Sequence, residues 1–225
     1  MTRPEAKAET RRRLRDCAAE LFRAQDVRTT SIADITSSAG VALGTFYVHY
    51  KSKDELVDEL VRARNESLVR ALVRTALASQ QTTLRGLLGD LSQSYLRFWR
   101  EFEGDFAIFI DYLARHSTRE TLVNGSNPAL LATLERTQRK LKGVRPIIAP
   151  SLVAGVVSTL WRTFAFHLLS REAAETPLES QANALTDGTV ALLQVYIPGF
   201  VELEPSELMS ALAESATEAG ITLEL

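Results

Sequence analysis

A single cysteine, Cys17, stands among 225 residues, so the chain cannot close a disulfide on itself or assemble a thiolate zinc cluster. That usage fits a reducing cytoplasm, with Cys17 as a small core residue. No apolar run approaches the length of a membrane span, and the segment 1–9 is polar and charged, without the apolar centre of a signal peptide. The expectation is therefore an intracellular, cytoplasmic protein with no membrane partner. Excess positive charge is missing too: the formal net charge of −2 excludes indiscriminate nucleic-acid binding over the whole surface, so any contact with DNA must come from a local arrangement. Residues 1–55 carry 10 Lys and Arg against 8 Asp and Glu, and residues 56–225 carry 16 against 20, an asymmetry too small to argue from alone. No internal repeat or low-complexity tract occurs. The histidines, His49, His116 and His167, lie far apart, and no Ser, Cys or carboxylate stands in a nucleophile elbow, so neither a metal, a cofactor nor an enzyme's catalytic site is expected.

Sustained period-two alternation is also absent, whereas apolar residues recur at helical spacing through nearly the whole chain, which predicts an all-α fold. A first helix is expected from about Ala8 to Ala24, with Leu14, Cys17, Ala18, Leu21 and Phe22 on one face. Arg11, Arg12, Arg13 and Arg15 near its start are either phosphate contacts or a solvated face. Ser31 and Asp34 form a capping-box pair opening a short second helix that stops near Ala39-Gly40. A third short helix begins around Ala42, and Ser52-Lys53-Asp54-Glu55 caps a long fourth one running toward Ala76. Two short helices across a tight turn, flanked by longer ones, make a helix-turn-helix layout.

The third helix has two chemically different sides. Val41, Phe46 and Tyr50 suit a core, while Ala42, Leu43 and Gly44 are small or aliphatic and let the helix start sink toward base edges and thymine methyls. Gly44 costs a helix interior about 1 kcal/mol relative to alanine, which points to close approach by something. Thr45, Tyr47, His49 and Lys53 offer polar groups where phosphates flank a groove, and Ser31 caps a helix whose backbone N–H groups face the same way. The bland alternative is a generic three-helix packing unit with Tyr47 and His49 as ordinary surface residues.

The array Thr30-Ser31-Ile32-Ala33-Asp34-Ile35, Gly40-Val41, Gly44-Thr45-Phe46-Tyr47 and Ser52-Lys53-Asp54-Glu55-Leu56 resembles the DNA-binding domain of the tetracycline-repressor (TetR) family over about residues 10–60. The resemblance implies an all-helical homodimer, usually a repressor, that leaves a palindromic operator in double-stranded DNA when a small-molecule effector occupies its C-terminal domain. Carried over by position, it implies phosphate contacts at Thr45, Tyr47, His49 and Lys53, and a base-facing helix start at Ala42, Leu43 and Gly44. Leu43 stands where many relatives carry a polar residue, and Tyr50 where phenylalanine is common. The implied organisation is a helix-turn-helix DNA-binding domain at 1–55 and a larger helical effector-binding and dimerisation domain at 56–225.

Beyond residue 60 the reading rests on periodicity. Leu84, Leu87, Leu88, Leu91, Tyr95, Phe98, Trp99 and Phe102 mark one helix, which Gly104 is expected to break before Phe106, Phe109, Ile110 and Leu113 mark the next. Asn127-Pro128 opens another with Leu130, Leu131, Leu134 and Leu141, followed by a loop between Pro146 and Pro150. Two large helices follow at about Ser151–Ser170 and Glu179–Tyr196. Tyr95, Phe98, Phe102, Phe106, Ile110, Trp161 and Phe164, with His167 as polar contact, either line a largely apolar effector cavity or fill the core. Ala154, Gly155, Ser158, Ala165, Gly188 and Ala191 permit close helix packing, within one subunit or in a four-helix bundle across a dimer. The tail after Gly199 has six Glu and no Lys or Arg, and Leu208, Met209 and Leu212 support a short last helix that packs on the body or reaches a partner.

Overall fold

A computed structural model of the chain describes residues 2–115, 132–133, 135–137, 150–168, 176–197 and 199–222. Among the described residues every regular element is helical: α1 (Arg3–Gln25), α2 (Ile32–Ser38), α3 (Leu43–His49), α4 (Lys53–Ala78), α5 (Leu84–Glu101), α6 (Glu103–Arg115), α7 (Pro150–Leu168), α8 (Leu178–Tyr196), a 3-10 turn at Phe200–Glu202, and α9 (Pro205–Glu218). His116, the Asn127-Pro128 opening, Leu130, Leu131, Leu134, Leu141, Pro146 and Ser170 lie outside the described residues.

Local chemistry sets the boundaries. Helix α1 starts at Arg3 rather than near Ala8, because Thr2 and Glu5 close a capping box and Pro4 occupies the first turn. The α2 end is a Schellman turn: Gly40 takes φ +63°, its N–H donates to the Ser37 carbonyl, and that of Val41 donates to the Thr36 carbonyl. Glycine is needed there because a side chain is strained at that angle. At the start of α4 the Glu55 N–H donates to the Ser52 hydroxyl, but the Glu55 carboxylate accepts from the Lys51 N–H, so the box closes one residue wider than its sequence form.

By its own contacts the chain divides into two compact units. The first comprises residues 2–64 and 102–115 among those described, and its core gathers Leu14, Ala18 and Phe22 of α1, Ile35 of α2, Phe46 of α3, and Leu56 and Val57 of α4. Burying each large side chain is worth about 1.5–3 kcal/mol, enough to hold two helices of seven residues that would not persist alone. Helix α6 also belongs here. Its Asp105, 9 % exposed, accepts from Arg23 of α1 at 2.6 Å and pairs with Arg64 of α4, whose guanidinium covers the Phe102 ring at 3.8 Å. Gly104 does not make the break expected of it: the helices part at Phe102, and Gly104 lies in the first turn of α6. Its physical role is clearance, since a Cβ there would come within 2.9 Å of the Arg23 side chain.

The second unit holds the rest of α4, then α5, α7, α8, the 3-10 turn and α9. Helix α8 packs on α5 and α7 around Leu84, Leu87, Leu91, Val153, Val157, Leu193 and Ile197. Two polar pairs stitch this layer: the buried Thr186 hydroxyl donates to Ser92, and the half-buried Trp161 indole N–H donates to Thr189. The small residues Ala154, Gly155, Ser158 and Ala165 are buried within this one chain, and a Cβ on Gly188 would touch Leu160 at 3.4 Å, so their smallness serves internal packing. Ala191 is exposed. The acidic tail folds onto its own unit: α9 buries Leu208 against the main cluster and Ala216 against Val69 and Val73. Arg136 pairs with Glu214 and Glu218 of that helix, offsetting two of its carboxylates.

Candidate nucleic-acid interface

Ser31 sits at the N-cap of α2, exposed, and its hydroxyl accepts the Asp34 N–H at 3.1 Å while both its own N–H and O–H donate to the Asp34 carboxylate. Those donors hold the Asp34 carboxyl below its ordinary range. The segment leading into α2 is fixed from the far side: the Lys53 ammonium donates to the carbonyls of Val27 and Thr30 at 2.7 and 2.8 Å. Lys53 thus positions the helix-turn-helix entry, with a third N–H left for other work.

Helix α3 presents its two sides sharply. Phe46 and Tyr50 are fully buried and in contact, with centroids 5.6 Å apart. On the opposite side Leu43, Tyr47 and Val48 are 52 %, 57 % and 64 % exposed, beside exposed Ala42 and Gly44, with Thr45 half-buried. Three large apolar or aromatic groups are thus held outward on a helix of two turns. Val48 was missed by reasoning from sequence, although its place four residues after Gly44 put it on that same face. Around Gly44 an added Cβ would meet nothing within 4 Å among the described residues, and its φ is unexceptional, so none of them requires a glycine there.

His49 is placed differently from its neighbours. It is 8 % exposed, its carbonyl accepts from Arg11, and its buried Nδ1 has no hydrogen-bond partner among the described residues. Burial first, then the charges of Lys7 and Arg11, hold the imidazole below its ordinary pKa, which keeps it neutral. Arg11 also donates to Glu59 and lies over the Tyr50 ring at 4.2 Å, while burial pushes the Tyr50 hydroxyl up to about 12. Of the four arginines considered as phosphate contacts, Arg11 and Arg15 pair with Glu59 and Arg12 with Glu9, leaving Arg13 without an ion pair among the described residues.

The candidates for an effector site fall in both units. In the second, Tyr95 packs edge-on against Trp161 at 4.8 Å, Phe98 is buried, Phe164 is half-buried and His167 is exposed. In the first, Phe106 is buried against Phe109, and Phe102 and Ile110 are half-buried. A cleft of about 290 Å³ between α4 and α5 is lined by Ala71, Thr75, Asp90, Gln93, Ser94, Arg97, Phe98 and Glu101, and of the candidates it includes Phe98 alone. Among the described residues no helix is long and apolar enough to cross a membrane.

Comparison with known proteins follows the same geography. Residues 14–60 match the family described as bacterial regulatory proteins, tetR family. The HTH-type transcriptional repressor KstR2 of Rhodococcus jostii is 37 % identical over 79 residues, 34 % of this chain and 39 % of that protein. The HTH-type transcriptional regulator AcrR of Shigella flexneri is 42 % identical over 59 residues, 26 % of this chain and 27 % of that one. The likeness therefore spans under half the length of either relative. In three dimensions it extends further: a TetR family transcription regulator from Marinobacter aquaeolei superposes with a TM-score of 0.61 at 18 % identity, over 83 % of this chain and 97 % of that one. A second such regulator, from a Shewanella species, gives 0.60 at 20 % identity over 87 % and 97 %.

Proposed function

We propose that this chain, which belongs to the tetR family of bacterial regulatory proteins by its DNA-binding segment, is a homodimeric transcriptional repressor that reads a palindromic operator and is released by a small, largely apolar ligand. One observation carries the reading: α3 projects Leu43, Tyr47 and Val48 outward beside an unobstructed Gly44, directly after a capped α2, in the segment that matches the family. Ala42, Leu43 and Gly44 meet base edges, with Val48 adding apolar contact. Thr45, Tyr47 and the third N–H of Lys53 meet phosphates, as do the backbone N–H groups of the helix capped by Ser31. His49, neutral and buried, supports this face through its backbone and packing.

Residues 1–55 supply DNA binding in this proposal, and residues 56–225 the effector site and the dimer. The dimer face is supported by the exposed apolar groups Leu152 and Phe166 on α7 and Val195 on α8, two adjacent helices of the second unit. Leu152 and Phe166, fourteen positions apart, return to nearly the same side of α7. Two recognition helices entering successive major grooves need a separation of about 34–36 Å, so a ligand favouring another spacing would lower affinity, with α4 as the lever. Tyr95, Phe98, Trp161 and Phe164 are the candidates for the effector's surroundings in the second unit, alongside Phe102, Phe106 and Ile110, with His167 as polar contact.

The testing experiment is selection of bound duplexes from a random DNA library, followed by gel-shift titration of the wild type and of Tyr47→Ala on the enriched sequence. A short palindrome bound by two chains, and weakened by Tyr47→Ala, is the expected result. Enrichment of no common sequence would overturn the reading.

A further inference from the structure

We propose that the first turns of α1 form a DNA-phosphate contact of their own, with Lys7 as its charged group, beside the C-terminal end of the recognition helix α3. The inference rests on the DNA-binding reading above and extends it beyond the family match, which begins at Leu14 and leaves the first three or so turns of α1 outside it. Those turns are helical and capped without being covered. Thr2 and Glu5 cap them and Pro4 stiffens their start, yet Thr2, Arg3, Pro4, Glu5, Lys7 and Ala8 are all exposed.

Arg11 fixes where they lie. Its guanidinium donates to the His49 carbonyl at the end of α3, donates to Glu59 of α4, and rests over Tyr50 at 4.2 Å. This anchors α1 against the recognition helix. Lys7 stands about 6 Å further out along the axis and about 40° around from Arg11, and Arg3 about 12 Å further out and about 80° around. One turn from the Arg11 anchor, Lys7 lies toward the α3 flank, and its charge contributes to the lowered pKa of His49.

Pairing decides which charge is available. Glu9 pairs with Arg12, Arg15 pairs with Asp16 and Glu59, the Glu5 carboxylate keeps its charge but is turned to the Thr2 N–H at the helix start, and among the described residues neither Arg3 nor Lys7 has an ion pair. The flank next to the recognition helix therefore ends in uncompensated cations, complementary to the phosphates bordering the groove that α3 would enter. Arg13 is likewise unpaired but lies about 120° around the helix from Lys7, so it offers an equal charge on a different side.

The test measures operator affinity across a salt series for the full-length wild type, Lys7→Ala and Arg13→Ala on the sequence the wild type selects. Each phosphate contact contributes about 0.9 to the slope of log affinity against log salt, so losing Lys7 from both subunits should lower that slope by about 1.8. Between 50 and 200 mM salt, Lys7→Ala should then lose roughly tenfold less affinity than the wild type. Arg13→Ala should keep the wild-type slope, Lys7→Arg should restore it, and the selected sequence should not change. An unchanged slope for Lys7→Ala, or equal loss in Arg13→Ala, would overturn the contact while leaving the DNA-binding reading intact. If the wild type selects no sequence, that reading and the contact fail together.

Discussion

Gly44→Ala separates the demands of the fold from those of the partner, because the two should move in opposite directions. Gly44 is the second residue of α3, its φ lies in the ordinary range, and a Cβ placed on it meets nothing within 4 Å among the described residues. Replacing glycine by alanine at an unobstructed helical position removes backbone freedom from the unfolded chain and favours the helix, by about 0.5–1 kcal/mol. For a chain of this size that is an increase in Tm of roughly 1–4 °C. If Gly44 faces the floor of a groove, the same methyl intrudes into a packed interface. Overpacking costs about 1–3 kcal/mol, or roughly 5- to 150-fold in Kd for each half-site. Thermal unfolding and gel-shift titration on the selected operator read both quantities from one preparation. A variant that is more stable and binds DNA as tightly as the wild type would refute the assignment of Gly44 to the interface. A variant that is less stable would refute the claim that none of the described residues requires a glycine there.

Three other perturbations address the supporting structure. Asp105→Ala leaves Arg23 and Arg64 without their shared carboxylate; since both guanidiniums retain some solvent, the cost should be about 2 kcal/mol rather than the full value for a buried pair, read as a lower denaturation midpoint. His49 is held neutral in the fold, with a pKa below the ordinary 6.5, so its contribution is fully present above pH 6.5 and is lost as pH falls through the folded value. The wild type should therefore lose Tm between pH 7 and pH 5.5 more steeply than His49→Gln; equal slopes would show that this imidazole does not titrate with unfolding. Phe166→Glu, placed at an exposed apolar position of α7, should shift the sedimentation coefficient from that of two chains to that of one while helical content is kept. Retention of the dimer would move the proposed face elsewhere.

Much of the fold was readable because its signals are local. Ser31 with Asp34, Gly40 with Val41, and the alternation of Phe46 and Tyr50 with Leu43 and Tyr47 each act within a turn or two, and the structure reproduces them as a cap, a Schellman turn and a two-sided helix. The early start of α1 was also legible, in Thr2 and Glu5, but a charged segment before the first apolar stripe carries no periodicity to mark it. Long-range contacts were not legible. Gly104 looked like a helix breaker because its reason, the passing side chain of Arg23, lies more than eighty positions away in sequence. The small residues of α7 and α8 suit a dimer seam and an internal seam equally well, and burial rather than composition assigns Ala154, Ser158 and Ala165 to the inside.

The same distinction governs the electrostatics of the interface. A tally over residues 1–55 finds ten cations against eight carboxylates and predicts almost no field. Pairing moves that sum about: within the segment Glu9 and Asp16 take up Arg12 and Arg15, Glu59 from beyond it takes up Arg11, and Glu5, Asp34 and Glu55 keep their charge but spend it at backbone N–H groups. Arg3 and Lys7 are left without ion pairs among the described residues, and Lys7 stands one turn from Arg11, which ties α1 to the end of α3. A nearly neutral segment can therefore present a local positive edge to DNA, and what sets it is which cations the fold leaves uncompensated, a property that no residue count contains.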